Sequence, residues 1–271
     1  MLSERVRTEP LNSERLHTEQ LFGLPFTASS LDEVRTHLLG QLAAGRRQLV
    51  ITANTDHVVR LGQRPELIDA YLAADLVLPD GMPLIWGSRL VGAALAERVT
   101  GVDLMHALCG GLTREARSVF VLGGTEDVLS DAARTLRERF PGIRLAGTHH
   151  GYFVPGDDSD VVRAINASRA EALFIGMGSP RQERWAAANA GALAARLIVC
   201  VGGTLDVLAG VRSRAPAWMQ RGGLEWSYRL IQEPSRLWKR YLIEDAAFVR
   251  ILGREWRRRR SERRRHRMQP W

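Results

Sequence analysis

At 271 residues, 45% hydrophobic and 25% charged, the chain has the make-up of a globular protein with enough apolar content for a substantial core. Disordered and fibrous classes do not fit, no run approaches the roughly 18 apolar residues of a membrane-spanning helix, and Cys109 and Cys200 are too few for a disulfide framework. The net charge of +8 is uneven, because residues 212–271 hold 17 Lys+Arg against 6 Asp+Glu, which leaves −3 on residues 1–211.

Residues 1–20 alternate charges without an apolar run of the secretory kind, which predicts a flexible lead and no signal segment. From residue 21 to 211, short β-rich apolar runs alternate with longer helical ones. Strands are predicted at Gln48–Thr52, Asp75–Pro79, Ser118–Leu122, Ile143–Gly147, Ala172–Gly176 and Leu197–Val201. Helices are predicted at Pro65–Ala74, Val102–Arg114, Asp127–Phe140, Asp160–Ser168 and Arg181–Ala190. Continuous apolar strands alternating with helices specify a parallel sheet covered on both faces. Both cysteines lie inside apolar runs and read as buried, reduced thiols.

Several strand ends carry polar chemistry. Thr52-Ala53-Asn54-Thr55-Asp56 closes the first core strand with a hydroxyl, an amide and a carboxylate, of which a helix N-cap needs one. Leu76-Val77-Leu78-Pro79-Asp80-Gly81-Met82-Pro83 places a single acid between two apolar runs. Pro-Asp-Gly is ordinary turn chemistry, and it also lies where open α/β sheets put their ligands, at the carboxyl end of a strand. Gly123-Gly124, Gly176-Met177-Gly178 and Gly202-Gly203 end three more strands; such turns seat phosphates but also serve geometry alone, and none matches a nucleotide fingerprint.

In Gly178-Ser179-Pro180-Arg181-Gln182-Glu183, Pro180 and Glu183 suit a helix start, and Gln182 is a two-way hydrogen-bonding group for a sugar hydroxyl or base edge. Asp157-Asp158-Ser159-Asp160 reads as an acidic loop and cap in preference to a cation site, and His149-His150 lacks a third ligand at zinc spacing. No metal site is expected.

Beyond residue 211 the pattern turns Trp- and Arg-rich. In Pro234–Trp256, Leu237, Trp238, Tyr241, Leu242, Phe248, Val249, Leu252 and Trp256 recur at helical spacing among basic residues, and Arg257-Arg258-Arg259-Arg260 follows. Such a helix either lies on an anionic membrane or packs on the core with a solvated basic tail.

Together these segments resemble the WecG/TagA/CpsF family of bacterial glycosyltransferases from about Leu21 to Tyr241. The matching stretches include Gly23-Leu24-Pro25-Phe26, Thr52-x-Asn54, Asp80-Gly81, Glu97-Arg98-Val99-Thr100-Gly101-Val102-Asp103, Gly176-x-Gly178-x-Pro180-Arg181-Gln182-Glu183, Arg214-Ala215-Pro216 and Glu233-Pro234-x-Arg236. The resemblance implies a Rossmann-like α/β core over residues 21–211 and a membrane-associating helical appendage over 212–271. It implies an inverting, metal-independent transferase without cofactors. A hexose or N-acetylhexosamine would pass from UDP to a sugar on polyprenyl diphosphate, at the cytoplasmic face of the membrane, in the synthesis of a cell-surface polysaccharide or teichoic acid.

On that resemblance Asp80 is the general base, and Thr52, Asn54, Gly178, Arg181, Gln182 and Gly203 contact substrate. Arg229, Arg236 and Arg240 would stabilise the departing diphosphate. Ala53, Met82-Pro83 and Arg181 depart from the residues usual there, which bears on which sugar is used more than on the reaction. The expected partners are the UDP-sugar, the lipid-linked acceptor and an anionic membrane surface, with no nucleic acid. The alternatives are a nicotinamide-dependent oxidoreductase on a similar scaffold, which the absent glycine fingerprint disfavours, and a nucleic-acid-binding protein using the arginine tail.

Overall fold

The computed structural model describes residues 16–154, 156–232 and 245–267. Its strands are β1 (Thr18–Leu21), β2 (Leu24–Thr27), β3 (Gln48–Ala53), β4 (Leu76–Pro79), β5 (Ser118–Gly123), β6 (Arg144–His149), β7 (Ala172–Gly176) and β8 (Leu197–Cys200). They form one sheet in the order β1-β2-β4-β3-β8-β7-β5-β6. Every neighbouring pair is parallel except the β1–β2 hairpin. The parallel-sheet reading is therefore correct.

Side chains alternate across this sheet because successive strand residues point to opposite faces. Leu49, Ile51, Leu173, Ile175, Ile198 and Cys200 enter one core, while Val50, Ala172, Phe174, Leu197 and Val199 enter the other. The first core is covered by α2 (Thr55–Gln63), α3 (Ile68–Leu72), α4 (Met82–Leu90), α7 (Asp158–Ala167) and α8 (Arg181–Asn189). The second is covered by α1 (Leu31–Ala43), α5 (Gly101–Arg114), α6 (Glu126–Arg139) and α9 (Thr204–Leu208). Central strands buried on both faces read as unbroken apolar runs, whereas the edge strand β6 alternates between exposed and half-buried residues. Both cysteines are buried, and burial pushes the Cys109 thiol up to about 12.

Three sequence expectations are corrected. The lead expected to be flexible through residue 20 is instead ordered from Thr18, because Thr18–Leu21 pairs antiparallel with Leu24–Thr27. The two connecting residues, Phe22 and Gly23, both have positive φ (55° and 82°), the geometry of a two-residue hairpin turn. The helix expected over Pro65–Ala74 is broken into a 3-10 turn at Pro65–Leu67 and the short α3. The strand expected to begin at Ile143 begins at Arg144 and runs on to His149.

After α9 the chain forms α10 (Ala217–Arg221) and α11 (Glu225–Gln232), and the last described helix is α12 (Asp245–Arg267). Of the amphipathic helix expected over Pro234–Trp256, the part before Asp245 lies outside the described residues. The start of α12 lies on the protein core. Phe248 is 6% exposed and meets Phe22 edge to face at 5.3 Å between ring centres. Ile251 and Leu252 pack beside it, reaching Gly62 of α2 and Gly87 of α4. Farther along, Arg259 bonds the Gln20 carbonyl at 2.5 Å and Glu19 at 3.3 Å, so the arginine-rich half also grips the β1–β2 hairpin.

Phe248→Ala is expected to remove about 3–5 kcal/mol of packing. Because the loss falls where α12 meets the hairpin, hydrogen exchange should accelerate in Thr18–Thr27 and Ala247–Trp256 while the amides of β7 and β8 keep their protection.

Candidate active site

The chain leaves β3 through α2 on one face of the sheet and leaves β8 through α9 on the other. β3 and β8 are neighbours, so their carboxyl ends flank a crevice at the point where open α/β sheets bind ligands. Thr52 on β3 is 4% exposed and donates its hydroxyl to the Cys200 carbonyl at 3.0 Å, tying β3 to β8 at the crevice floor. Asn54 caps α2: its Oδ1 accepts from the backbone N–H of Asp56 at 3.0 Å and of His57 at 3.4 Å.

Asp80 follows the last residue of β4. Its N–H donates to the Ala53 carbonyl at 2.8 Å, extending the β3–β4 ladder by one bond, and the preceding Pro79 carbonyl accepts from Val99 N–H at 2.9 Å. The backbone around the carboxylate is thus held from two sides. Gly81, at φ 133°, makes the turn into α4, and a Cβ there would lie 4.0 Å from the Asn54 Cβ. The tight turn at β4 therefore brings the Asp80 and Asn54 segments side by side. Asp80 itself is half-buried.

Gln182 stands below the crevice. It is 1% exposed, its Nε2 donates to Glu183 Oε1 at 2.8 Å, and its Oε1 accepts from Gly202 N–H at 3.1 Å. Both ends of the amide expected to read substrate are engaged within the chain, joining the start of α8 to the turn after β8. Gly178 has φ 76° and its carbonyl accepts from Gln182 N–H at 3.0 Å. The turn beyond it is braced by Arg60, which donates to the Ser179 carbonyl at 2.7 Å, and by Tyr71, whose hydroxyl lies 3.4 Å from Ser179 Oγ. Burial pushes the Tyr71 hydroxyl well up, so it stays neutral.

Arg181 is exposed, and its described contacts are with Phe153. It donates to the Phe153 carbonyl at 2.8 Å and stacks 4.7 Å above the Phe153 ring. Gly203 opens α9 with Arg212 beside it, 3.1 Å from where a Cβ would stand. Arg212 in turn pairs with Asp206 at 3.0 Å. Arg229 lies on α11, but its side chain, like all of Arg236 and Arg240, is outside the described residues.

A cover of later sequence lies across the β4 end. Arg214 makes a two-pronged contact with Asp103 at 2.6 and 3.2 Å, and Asp103 also accepts from Thr100 Oγ1 at 2.7 Å. Arg98 reaches Glu225 at 2.5 Å. Gly223 sits against Met82 and Trp86 so closely that a Cβ would come within 2.7 Å of the Trp86 ring. Burial alone would raise the Asp103 carboxyl, but its bonds to Arg214 and Thr100 and the nearby charge of Arg98 outweigh that and hold it below the ordinary value. Trp86, Trp218, Trp226 and Ile231 remain exposed around this cover.

His57, Asp103, Arg98 and Arg214 received no role from the sequence. The signal was present only as capping, since Thr100-x-x-Asp103 and Asn54-x-x-His57 have helix-start spacing. Their distant partners, Arg214 and Glu183, are invisible to local spacing. Among the described residues no three His, Cys, Asp or Glu side chains converge as a metal set, and Asp160 of the acidic loop pairs with Arg163 at 2.9 Å. Two surface concavities, one lined by Glu126, Arg137 and His149 and the other by Arg35, His106 and Phe140, lie away from the crevice.

The sequence matches the Glycosyl transferase WecG/TagA/CpsF family over residues 19–262, and the chain belongs to that family. It is similar to the N-acetylglucosaminyldiphosphoundecaprenol N-acetyl-beta-D-mannosaminyltransferase of Bacillus spizizenii, 31% identical over 241 residues, covering 89% of this chain and 93% of that protein. The Bacillus subtilis protein of the same name is 29% identical over 244 residues with the same coverage. The Staphylococcus aureus (strain MW2) protein of that name is 31% identical over 191 residues, covering 70% of this chain and 73% of its own. The chain is accordingly a glycosyltransferase, and the oxidoreductase alternative falls away.

Asp103→Asn should loosen the cover by about 1 kcal/mol at neutral pH, more than an exposed ion pair contributes. A carboxyl held low when folded contributes its stability above its unfolded value, near 3.8, and loses it as pH falls through the lower folded value. The gap in urea stability between wild type and Asp103→Asn should therefore be full at pH 7 and shrink below about pH 3.8.

Proposed function

We propose that this WecG/TagA/CpsF glycosyltransferase moves N-acetylmannosamine, or a closely related hexose, from UDP to an N-acetylglucosamine carried on polyprenyl diphosphate, with inversion and without a metal. The observation that carries the reading is the placement of Asp80, a half-buried carboxylate at the carboxyl end of β4, next to the crevice between β3 and β8. The relatives' names supply the sugars.

Inverting transfer needs a base on the acceptor side. Asp80 takes the proton of the acceptor hydroxyl as its oxygen attacks the anomeric carbon, while the bond from that carbon to the UDP oxygen breaks on the opposite face. The sugar passes through an oxocarbenium-like state, and negative charge grows on the departing diphosphate. Asn54 contacts the donor or acceptor from beside Asp80. Thr52 and Gln182 serve this site from within its floor, through the bonds that hold β3, β8 and α8 together.

Gly178 leaves open space for substrate at the turn after β7, and Gly203 meets substrate at the turn after β8, beside Arg212. Arg181 orders the Phe153 loop beside them. The diphosphate charge falls to Arg229, Arg236 and Arg240, because a planar guanidinium meets two phosphate oxygens at once. This region follows the cover that Arg98 and Arg214 fasten to the core.

The acceptor is anchored in a membrane, and no helix among the described residues is long and apolar enough to cross one. In this reading the protein is peripheral, on the cytoplasmic face. The exposed Trp218, Trp226 and Ile231 supply apolar contact, and the net +11 of residues 212–271 supplies attraction to anionic headgroups.

Asp80→Asn should lower transfer from UDP-N-acetylmannosamine to a short-chain lipid-diphosphate N-acetylglucosamine by about 100- to 10,000-fold, the usual contribution of a general base. UDP binding measured by calorimetry should persist. EDTA should leave the wild-type rate unchanged; a rate abolished by EDTA and restored by a divalent cation would overturn the metal-free mechanism.

A further inference from the structure

Behind Asn54 lies a buried pair that the reaction above does not use. His57 is 7% exposed and Glu183 is 0% exposed, and their nearest atoms, Nε2 and Oε1, are 3.4 Å apart. A carboxylate removed this completely from water needs partners. Gln182 supplies one bond to Oε1, while Glu183 Oε2 and His57 Nε2 form no hydrogen bond among the described residues. Nε2 and Oε1 therefore approach closely without hydrogen-bond geometry, and the contact acts by limiting the room in which the ring can turn.

The other ring nitrogen faces the crevice side. His57 Nδ1 lies 2.7 Å from Asn54 Oδ1. That oxygen also accepts the N–H groups of Asp56 and His57, which fixes the amide with its oxygen toward the helix start. A short contact to an acceptor requires that Nδ1 carry hydrogen. The Asn54 N–H, at 3.2 Å from Nδ1, would favour a bare nitrogen, but that contact is longer, and a bare Nδ1 would set its lone pair 2.7 Å from an oxygen already held by two N–H groups. Tyr71 also meets the ring edge-on at 6.0 Å between centres, and the Asp56–Arg60 pair lies on the same helix.

We propose that His57, backed by the buried Glu183, is a positioning residue that aims Asn54 at the substrate. Its Nδ1–H bonds Asn54 Oδ1, so the amide cannot flip, and the Nδ2 group, which no hydrogen bond among the described residues uses, is presented beside Asp80. Glu183 does not touch substrate. It stops the imidazole from turning, and through Gln182 it couples that orientation to the Gly202 turn after β8. The last step, that Asn54 touches substrate, rests on the function proposed above; the bond from His57 to Asn54 does not.

Asparagine places an N–H near the Nδ1 position of histidine and glutamine places one near Nε2, so the two substitutions separate the two sides of the ring. His57→Gln should lower kcat/KM by about 10- to 100-fold, the scale of a misaimed contact. It should cost little further in an Asn54→Ala background, because both changes remove the same contact. His57→Asn combined with Glu183→Gln, which leaves no unpaired buried acid, should recover most of that loss while remaining folded by circular dichroism. Ring-nitrogen NMR of the 15N-histidine-labelled full chain, recorded without substrate, should show hydrogen on Nδ1 of His57.

A bare Nδ1, or losses from His57→Gln and Asn54→Ala that multiply in the double variant, would overturn the proposal. A wild-type chain that transfers no sugar would overturn the functional reading instead, and the NMR spectrum would still decide the His57–Asn54 bond.

Discussion

A carboxylate with no exposure to water organises the working edge of this sheet. Glu183 has only near neighbours to compensate its burial, and they come from separated segments: Gln182 beside it and His57 from α2, with Gly202 joined through Gln182. Because Gln182 bonds both Glu183 and Gly202, losing it would leave buried polar groups unmatched, and the turns after β7 and β8 are constrained together, with His57 packed against the same carboxylate from α2. Thr52 adds a second tie between β3 and β8. The crevice floor is therefore tied together from several segments, the fixed positioning that a transfer reaction requires.

The roof is built differently. It comes from sequence after residue 211, and it is fastened by ion pairs at the rim, Arg214 to Asp103 and Arg98 to Glu225, with Gly223 pressed onto Trp86. Such contacts are weaker than the apolar packing beneath them and respond to pH and salt. A firmly bonded floor and a more loosely held roof suit a glycosyltransferase, whose product must leave after each turnover. The C-terminal helix divides along its length: its beginning is consumed by Phe22, Gly62 and Gly87, whereas Trp256 and several of the following arginines face outward. The choice between a membrane-lying helix and a core-packed one is thus answered for Phe248, Ile251 and Leu252, which belong to the core.

Much of the core was legible because its signals are local. Runs such as Leu197-Ile198-Val199-Cys200 have one environment available, the middle of a parallel sheet, since only there are both faces of a strand buried. The hairpin Thr18–Thr27 was missed because its strands are short and its turn uses Phe22, a residue that enters positive φ only with support, here from Phe248 some 226 positions later. Gln182 was legible as a polar group at the right edge. That it is sealed under the floor depended on Glu183 and Gly202 closing around it.

By itself the sequence determined the parallel sheet, the strand ends where polar residues gather, the placement of Asp80 after β4 and the concentration of positive charge in residues 212–271. These follow from periodicity, turn chemistry and composition, which act over a few residues at a time. Only the tertiary structure decided which polar groups face the crevice and which are used up inside the protein. Thr52, Asn54, Gln182 and Glu183 look alike as strand-end polar residues, and hydrogen bonding across β3, α2, α8 and β8 is what separates them.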